Sequence, residues 1–418
     1  MRKERREMKV LIIGGGFINK GAEAMVKTVQ AQIAQRLPGT TFHFSGAADG
    51  EARFLAGEGI QVLPARPRKD KIAALGRMLS GHPGLARDLP RQRRLRTLAT
   101  LADVDAVLDI SGYAYGDPWG MAYSGPATAM AAYAQDLGKP FVLLPQAFGP
   151  FERPNIAASC RQLCARAALT FVRDEASMAH LRALFGGPLP ETIRMSPDIA
   201  FLFDSAPLNA DSPLLRTLDA GRGTRPLAGI APNMRVYERT PGTGLDNEYV
   251  RLLIRVAAML VEHGYAVALV PHEVSRTDMG TTDDRLLCSI IEAGAGTGHV
   301  RALTGCMSAV EIKAVIGQMR FLIGSRFHAL VAALSQGIPV FAVSWSHKYQ
   351  ELLALFGLER HVLGADALQS LPQAAGLIQG FVEEAENLSG KVRSALPGIQ
   401  QSVSETFDAV ASTLVSHK

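Results

Sequence analysis

The chain has 418 residues, of which 47% are hydrophobic and 20% charged, and a formal net charge of +5. This length predicts two domains of about 150–200 residues, and the composition excludes a disordered protein. No apolar run reaches the roughly eighteen residues of a transmembrane helix. The N-terminal MRKERREMKV passes directly into a short apolar strand, without the apolar region and cleavage site of a signal peptide, so we expect a cytoplasmic protein.

Cysteine and histidine placement argues against a metal site. The four cysteines are too few for a disulfide framework. No CxxC, HExxH or His/Cys cluster at ligand spacing occurs, although Cys160 and Cys164 could share one face of a predicted helix. Because free cysteine is among the most buried residue types, we expect reduced, buried thiols and not a metal site.

Positive charge is concentrated in residues 66–96, which contain ten Lys and Arg residues against Asp70 and Asp88. The segment has no interleaved aromatic residues and no nucleic-acid-binding motif, so we expect no nucleic-acid partner. Two interpretations stay open: solvated helix faces, or peripheral contact with an anionic membrane that carries a lipid-linked substrate.

Strand-like and helix-like segments alternate through the first half of the chain. The segment MKVLIIGGG predicts a buried strand and a glycine turn, AEAMVKTVQAQIAQRL a helix, and TTFHFSG a second strand. Further strands are predicted in DAVLDISG, PFVLLPQAFGP, ALTFVRD and TIRMSPDIAFL, with helices near residues 122–137, 154–168 and 175–185. This alternation is typical of a parallel sheet with helices on both faces.

The alternation resumes after a polar stretch rich in Pro and Gly. Strands are predicted in LAGIAPN, YAVALVPH, VRAL, FLIGS and PVFAVSW, and helices at 247–263, 282–293, 308–319 and 327–336, followed by amphipathic helices at 366–385 and about 399–416. We predict an α/β protein of two doubly wound, Rossmann-like domains facing a cleft. The predicted parts are an N-terminal domain at 8–205, a linker at 206–225, a C-terminal domain at 226–385 and a C-terminal helix at 386–418 that crosses back.

Polar and glycine residues at strand ends are site candidates, because ligands in open α/β sheets bind beyond the carboxyl ends of the strands. In the loop GGGFINKGAEA, Gly16 permits close backbone approach and Asn19 precedes a helix N-terminus whose free N–H groups favour an anion. The loop does not match GxGxxG, which disfavours a nicotinamide cofactor. A tight turn without a ligand is the alternative.

Two more candidates follow later strands of the first half. Gln146, in LLPQAFGPF, could bind a sugar hydroxyl or phosphate, or satisfy loop backbone. Arg173, in FVRDEAS, precedes Asp174; the simplest interpretation is that Asp174 caps the next helix and Arg173 is paired nearby.

Arginine and histidine residues follow three strands of the second half. Arg235 lies in APNMRVY and His272 in LVPHEV, and a single histidine at a strand end is more often a structural hydrogen-bond partner than a catalyst. GSRFHAL, with Ser325, Arg326 and His328, is more specific. Arginine suits two oxygens of a phosphate or carboxylate, and histidine can give a proton near neutral pH. The alternative has Arg326 reaching solvent and His328 capping the helix.

The motifs NKGAEA, PQAFGPF, VRDEAS, PDIAFL, GIAPNMRVY, LVPH and SRFHALVAALSQGIPV occur in this order. In order and separation they resemble those of the polysaccharide pyruvyl transferase family, from about Lys9 to about Phe356. The RxHA block, followed by a small-residue helix and G-x-P-V, is the most specific of them. Ala22 stands where the commoner N-x-G-D-E-A form has Asp, so no chemistry is assigned to that position.

The resemblance implies a GT-B-like fold and transfer of a pyruvyl group from phosphoenolpyruvate onto two hydroxyls of a sugar in a polysaccharide precursor. The products are a cyclic ketal and phosphate, and the reaction needs no cofactor or metal. His328 would protonate the enol carbon, and Arg326 and Arg235 would hold the phosphate and carboxylate. Ser325 and His272 would complete the donor site.

The acceptor side would carry Gly16, Asn19, Gln146 and Arg173, and the acceptor would be a sugar or a lipid-linked oligosaccharide at the inner face of the plasma membrane. A GT-B glycosyltransferase that uses a nucleotide sugar is the first alternative. It needs an acidic ribose contact, for which Glu351 is the only nearby candidate. A non-catalytic module of the same fold is the second, and it predicts loss of the donor-site residues that this sequence retains.

Overall fold

The computed structural model describes residues 7–45, 49–63, 91–209, 211–276, 282–343, 348–364 and 371–417. Seven parallel strands form the first sheet, in the order β3-β2-β1-β4-β5-β6-β7. Its strands are β1 (Lys9–Ile13), β2 (Thr41–Ser45), β3 (Ile60–Leu63), β4 (Ala106–Asp109), β5 (Phe141–Gln146), β6 (Leu169–Val172) and β7 (Ile193–Met195). Helices between these strands are α1 (Lys20–Arg36), α2 (Asp49–Gly57), α3 (Arg91–Ala102), α4 (Met121–Asp136), α5 (Pro154–Arg166) and α6 (Glu175–Phe185).

Six parallel strands form the second sheet, in the order β10-β9-β8-β11-β12-β13. They are β8 (Leu227–Ala231), β9 (Ala266–Leu269), β10 (Val300–Ala302), β11 (Leu322–Gly324), β12 (Val340–Val343) and β13 (Val362–Leu363). The helices of this half are α7 (Pro213–Arg222), α8 (Met234–Tyr237), α9 (Glu248–Glu262), α10 (Asp284–Ala295), α11 (Ala309–Ile316), α12 (Phe327–Leu334) and α13 (Lys348–Ala354).

Both sheets have the strand order of doubly wound domains, in which the order reverses beside the first strand of each half. Every residue of β4, β5, β6, β8, β9 and β12 is buried, as expected for parallel strands covered on both faces. The continuous apolar runs of the sequence therefore identified these buried strands, whereas β3 and β13, short strands at the edges of the two sheets, were not predicted. The predicted class of two Rossmann-like domains is confirmed.

The chain folds into two compact units. Unit 1 contains Met1–Gly15, Val29–Ile199 and Ser402–Lys418, and unit 2 contains Gly16–Thr28 and Ala200–Gln401. The loop with Gly16 and Asn19 thus groups with the second sheet, although the sequence-based boundaries put it in the N-terminal domain. Segment 206–225, predicted as a linker, contains α7, because Ser212 caps a helix that has Pro213 in its first turn and buries Leu214 and Leu218.

The C-terminal segment is one helix, α14 (Leu371–Ser416), and not two. Pro397 lies inside it, and proline inside a helix removes a backbone hydrogen bond. Burial of one apolar stripe on both sides of Pro397 accounts for the continuity. The stripe repeats every three or four residues, apart from one seven-residue interval that includes Pro397, and consists of Ile378, Phe381, Ala385, Leu388, Val392, Ile399, Val403, Phe407, Val410 and Leu414.

Cys160, Cys164 and Cys288 are buried free thiols, and Cys306 is an exposed one. In the part of the chain that the structure describes, no helix combines the length and hydropathy needed to cross a membrane. The basic segment 66–96 lies outside the described residues, except for the backbone of 91–96 in α3.

Candidate active site

GSRFHAL lies where the strand order of the second sheet reverses. β8 and β11 are neighbours there, and their carboxyl ends carry Asn233 and Ser325. The Asn233 side chain donates a hydrogen bond to the Ser325 carbonyl at 2.7 Å, and the Tyr249 hydroxyl donates to Ser325 Oγ at 2.8 Å. Ser325 is buried. Ser325 therefore fixes the two strand ends relative to each other. A contact of Ser325 with the donor stays a prediction.

Arg326 lies beyond β11 as a buried residue, 7% exposed. Its Nε donates to Asp284 Oδ2 at 2.8 Å, Nη2 to Asp284 Oδ1 at 2.6 Å, and Nη1 to Glu273 Oε2 at 2.7 Å. Burial would lower the pKa of Arg326, but the Asp284 and Glu273 carboxylates outweigh it and raise that pKa. Three of the five guanidinium N–H groups are thus committed to this protein's own carboxylates.

Asp284 joins three chain segments. Besides the two bonds from Arg326, its carboxylate accepts hydrogen bonds from the backbone N–H groups of Met234 at 3.1 Å, His272 at 3.1 Å and Glu273 at 2.8 Å. The residue is fully buried. Because these segments follow different strands, Asp284 and Arg326 together hold the strand-end loops of unit 2 in register.

His328 is half-buried in the first turn of α12. Its ring packs against Gly21 near the start of α1, so closely that a Cβ at Gly21 would lie 2.1 Å from His328 Nδ1. Glycine at position 21 is therefore required for the observed position of the imidazole.

We expect Gly21→Ala to lower turnover about 100-fold, because the added methyl group displaces His328 from its present position. Steady-state kinetics and a thermal melt on the same preparation would measure the effect. The matched control is Gly390→Ala, since Gly390 is also helical and a Cβ there meets nothing within 4 Å. Similar kinetics for the two variants would show that the position of the His328 ring does not matter for turnover.

A small cavity in unit 2 lies next to His328 and has room for about one water molecule. Lys20, His272 and Lys313 line it together with His328. The Lys313 ammonium donates to the Phe203 carbonyl, and burial lowers the pKa of Lys313 to about 8. Four basic side chains therefore meet here. This composition favours an anion.

Lys20 and Glu23 connect the start of α1 with the rest of unit 2. Lys20 Nζ donates to Glu23 Oε2 at 2.9 Å, and Glu23 Oε1 accepts from the backbone N–H of Ala309, the first residue of α11, at 2.9 Å. The Lys20 backbone N–H donates to the His272 carbonyl at 2.9 Å. The NKGAEA motif thus positions one wall of the cavity.

His272 is 4% exposed, and neither of its ring nitrogens has a hydrogen-bond partner within the described residues. Burial lowers the pKa of His272 well below its usual range, and the positive charges of His328, Arg326 and Lys20 lower it further. His272 is therefore neutral at physiological pH. Unpartnered buried polar groups are costly to stability and are often retained for function.

The lowered pKa of His272 makes the stability of the protein depend on pH. Below pH 6.5 the unfolded chain takes up a proton at this imidazole and the folded chain does not, so the free energy of unfolding falls as pH falls. Between pH 6.5 and 5.5, the free energy of unfolding of His272→Leu should fall by about 1 kcal/mol less than that of the wild type. Urea titrations at both pH values measure this, and equal losses in the two proteins would contradict it.

Three other predicted residues of unit 2 have simpler surroundings. The Asn19 side chain caps α1 by accepting hydrogen bonds from the N–H groups of Gly21 and Ala22. The Asn19 backbone forms an isolated antiparallel β-bridge with Glu273. A Cβ at Gly16 meets nothing within 4 Å, so no close approach requires a glycine there. The Arg235 side chain is about half exposed and pairs with Glu238 at 3.3 Å.

The two predicted residues of unit 1 are both buried. Gln146 donates to Asp109 Oδ1 at 3.2 Å. Arg173 forms an ion pair with Asp198 at 2.9 Å, and Asp174 caps α6 by accepting from Ser177. The capping interpretation of VRDEAS therefore describes the structure, and the acceptor contacts of Gln146 and Arg173 stay predictions.

Asp284, Glu273, Gly21 and Lys313 were not predicted as site residues from the sequence. A signal existed for Lys313, because it falls on the apolar face of α11 between Ile312 and Val315. The described residues contain no group of three or more His, Cys, Asp or Glu side chains placed to hold a metal ion.

Solved structures with similar folds share little sequence identity with this chain. The UDP-GlcNAc 2-epimerase of Neisseria meningitidis bound to UDP-GlcNAc is 11% identical, with a TM-score of 0.59 over 98% of this chain and 100% of that chain. A glycosyltransferase from Rickettsia africae is 10% identical, with a TM-score of 0.56 over 99% and 100%. These similarities establish a two-domain, GT-B-like fold class.

The family follows from the sequence. The model of the polysaccharide pyruvyl transferase family matches residues 19–347, more than half of the chain, and the chain belongs to this family. The amylovoran biosynthesis protein AmsJ of Erwinia amylovora is 20% identical over 301 residues, which are 71% of this chain and 70% of that protein. The predicted family resemblance is thus confirmed, and the protein is a transferase.

Proposed function

We propose that the protein transfers the pyruvyl group of phosphoenolpyruvate onto two hydroxyls of one sugar in a polysaccharide precursor, forming a cyclic ketal. Membership of the family and the similarity to AmsJ support a role in exopolysaccharide biosynthesis. The observation that carries the proposal is the meeting of His328 with Lys20, Lys313 and a neutral His272 around one cavity. Such a site offers positive charge to an anionic donor and a histidine for proton transfer.

The reaction needs one proton donation to carbon. A proton adds to the methylene carbon of phosphoenolpyruvate, and the resulting cationic C2 is attacked by the first sugar hydroxyl. The bond between C2 and the phosphate oxygen then breaks, and the second hydroxyl closes the ring. Of the two hydroxyl protons released, one balances the new methyl group and the other ends on phosphate. No electrons are exchanged with a cofactor.

His328 is the proposed general acid for the methylene carbon. It is half-buried, whereas the cavity behind it is too small for phosphoenolpyruvate, so the donor would lie at the mouth of the cavity beside the imidazole. Arg235 is the proposed anion ligand, because its guanidinium is half exposed and its single ion pair with Glu238 is a surface one that yields at low cost.

Arg326 has a different proposed role from the one the sequence predicted. Its bonds to Asp284 and Glu273 make it a positioning residue for the strand-end loops. The Glu273 side chain is 16% exposed. If the carboxylate of the donor replaced Glu273 as the partner of Arg326 Nη1, Arg326 would still bind the donor.

The test is incubation of the protein with phosphoenolpyruvate and a panel of β-galactosides, mannosaminides and glucuronosides. Release of phosphate together with a sugar product that has gained one pyruvate and lost one water supports the proposal. A parallel incubation with UDP-sugars tests the glycosyltransferase alternative, for which Glu351, half-buried on α13, is the acidic candidate. Phosphate release without a sugar product, or glycosyl transfer from a UDP-sugar, would contradict it.

The proposal includes the predicted cytoplasmic location and contact of residues 66–96 with an anionic membrane that carries the acceptor. The support for it is the positive charge of that segment. Flotation with anionic liposomes at low salt tests the contact, and recovery of all the protein in the unbound fraction would remove it.

A further inference from the structure

Three aromatic residues form a partly exposed cluster in unit 1, between β4 and the first turn of α4. The ring centroids of Tyr113 and Trp119 are 5.7 Å apart at an interplanar angle of 88°, and those of Trp119 and Tyr123 are 5.9 Å apart at 71°. Trp119 is 37% exposed and Tyr123 54%. Among the described residues, these two are the exposed large aromatic side chains, and Met121, 41% exposed, lies between them in the sequence.

The loop that carries the cluster is fixed from both sides. Asp109, at the end of β4, is fully buried and accepts hydrogen bonds from the Tyr115 hydroxyl and from the Ser111 N–H. Tyr115 also forms a bridge with Phe148, and the Tyr113 hydroxyl donates to the Gly149 carbonyl at 3.3 Å. These contacts hold the loop after β4 and the Tyr113 ring in place.

Charged groups lie at the edge of the cluster. Asp117, two residues before Trp119, accepts hydrogen bonds from the N–H groups of Glu152 and Arg153 and pairs with the Arg153 guanidinium at 3.5 Å. The Arg153 side chain is 54% exposed. A rigid apolar surface with a carboxylate and a guanidinium beside it offers both dispersion contacts and hydrogen bonds.

The cluster also lies at the position in the sheet where doubly wound domains bind ligands. β1 and β4 are the neighbours at which the strand order of the first sheet reverses, and the loop follows the carboxyl end of β4. Beyond the ends of these strands, Gly14 approaches Ser111 so closely that a Cβ at Gly14 would lie 2.2 Å from Ser111 Oγ, and Tyr113 follows Ser111 by two residues.

We propose that Tyr113, Trp119 and Tyr123 form the subsite that binds the sugar acceptor, with Asp117 and Arg153 as hydrogen-bonding groups. The C–H face of a pyranose ring is apolar and packs on aromatic faces, while its hydroxyls project sideways to charged groups. Exposed aromatic patches on otherwise polar surfaces mark binding sites. The cluster itself indicates that the ligand is a carbohydrate. That this carbohydrate is the acceptor of the reaction rests on the proposed function.

Saturation-transfer NMR with the methyl glycosides of β-galactose, N-acetylmannosamine and glucuronic acid tests the subsite without any need for activity. We expect saturation of the sugar C–H protons in at least one case, and a dissociation constant on the order of 10-fold higher for Trp119→Ala. Trp119→Phe keeps a ring and should retain most of the affinity. Tyr123→Ser is a second variant, should Trp119→Ala fail to fold.

Met195→Ala is the matched control, because Met195 is also in unit 1, ends β7 and is 41% exposed, and it should bind as the wild type does. Binding of no glycoside, or equal binding by Trp119→Ala, Tyr123→Ser and the wild type, would overturn the subsite. If Trp119-dependent binding is seen without pyruvyl transfer, the subsite stands and the proposed reaction does not. If transfer occurs with an unchanged acceptor KM in Trp119→Ala, the reaction stands and the subsite does not.

Discussion

Replacing His328 with asparagine is expected to lower kcat for pyruvyl transfer by about 10²–10⁴-fold, the usual contribution of a positioned general acid. Asparagine keeps a polar side chain of similar reach at the start of α12 but cannot give a proton to the methylene carbon. The KM for phosphoenolpyruvate should change much less than kcat, because protonation is needed in the transition state and not for binding.

The control for this variant is His263→Ala. His263 is exposed at the end of α9, before the amino end of β9, and its ring bonds to the Met259 carbonyl. Single-turnover measurement of phosphate release separates the chemical step from product release. Near-wild-type release by His328→Asn would show that the proton comes from another group.

The location of the candidate site was readable from sequence, and most of its contacts were not. The segment FLIGSRFHAL has an apolar run, a glycine and a small-residue helix, and this pattern predicts a buried strand followed by a turn and a helix. The rule that ligands bind at strand carboxyl ends then gave Arg326 and His328 their correct places at the reversal of the second sheet.

The partners of Arg326 could not be predicted, because they lie 42 and 53 residues away in sequence. Periodicity places a residue on an element but says nothing about which distant carboxylate faces it. The same limit explains why Gly21 was missed: its need to be a glycine depends on the approach of His328 from another helix.

The grouping of Gly16–Thr28 with unit 2 has a similar origin. Chain order suggested that the loop after β1 belongs with the first sheet. However, Lys20, Glu23 and the backbone of residues 18–20 make their hydrogen bonds with His272, Val274 and Ala309. The NKGAEA and SRFHA motifs, about 300 residues apart in sequence, therefore build one cavity.

Charge gives the cavity a consistent chemical character. Burial is the main cause of the lowered pKa of His272, and the positive charges of His328, Arg326 and Lys20 lower that pKa further, so the same charges would attract an anion to this region. The cost to stability of the buried His272 imidazole, whose ring nitrogens have no hydrogen-bond partner within the described residues, is understandable if a ligand or water supplies the missing contact.

Replacing Arg326 with methionine is expected to lower the free energy of unfolding by about 3–5 kcal/mol, because it leaves the buried Asp284 carboxylate without its ion-pair partner. Arg235→Met is the comparison: its ion pair with Glu238 is exposed, so stability should change by less than about 1 kcal/mol, while the KM for phosphoenolpyruvate rises. Adding Asp284→Asn to Arg326→Met should recover part of the lost stability in urea titrations, since it removes the unpaired charge. A stable Arg326→Met protein that has lost only its affinity for phosphoenolpyruvate would instead make Arg326 a direct ligand of the donor.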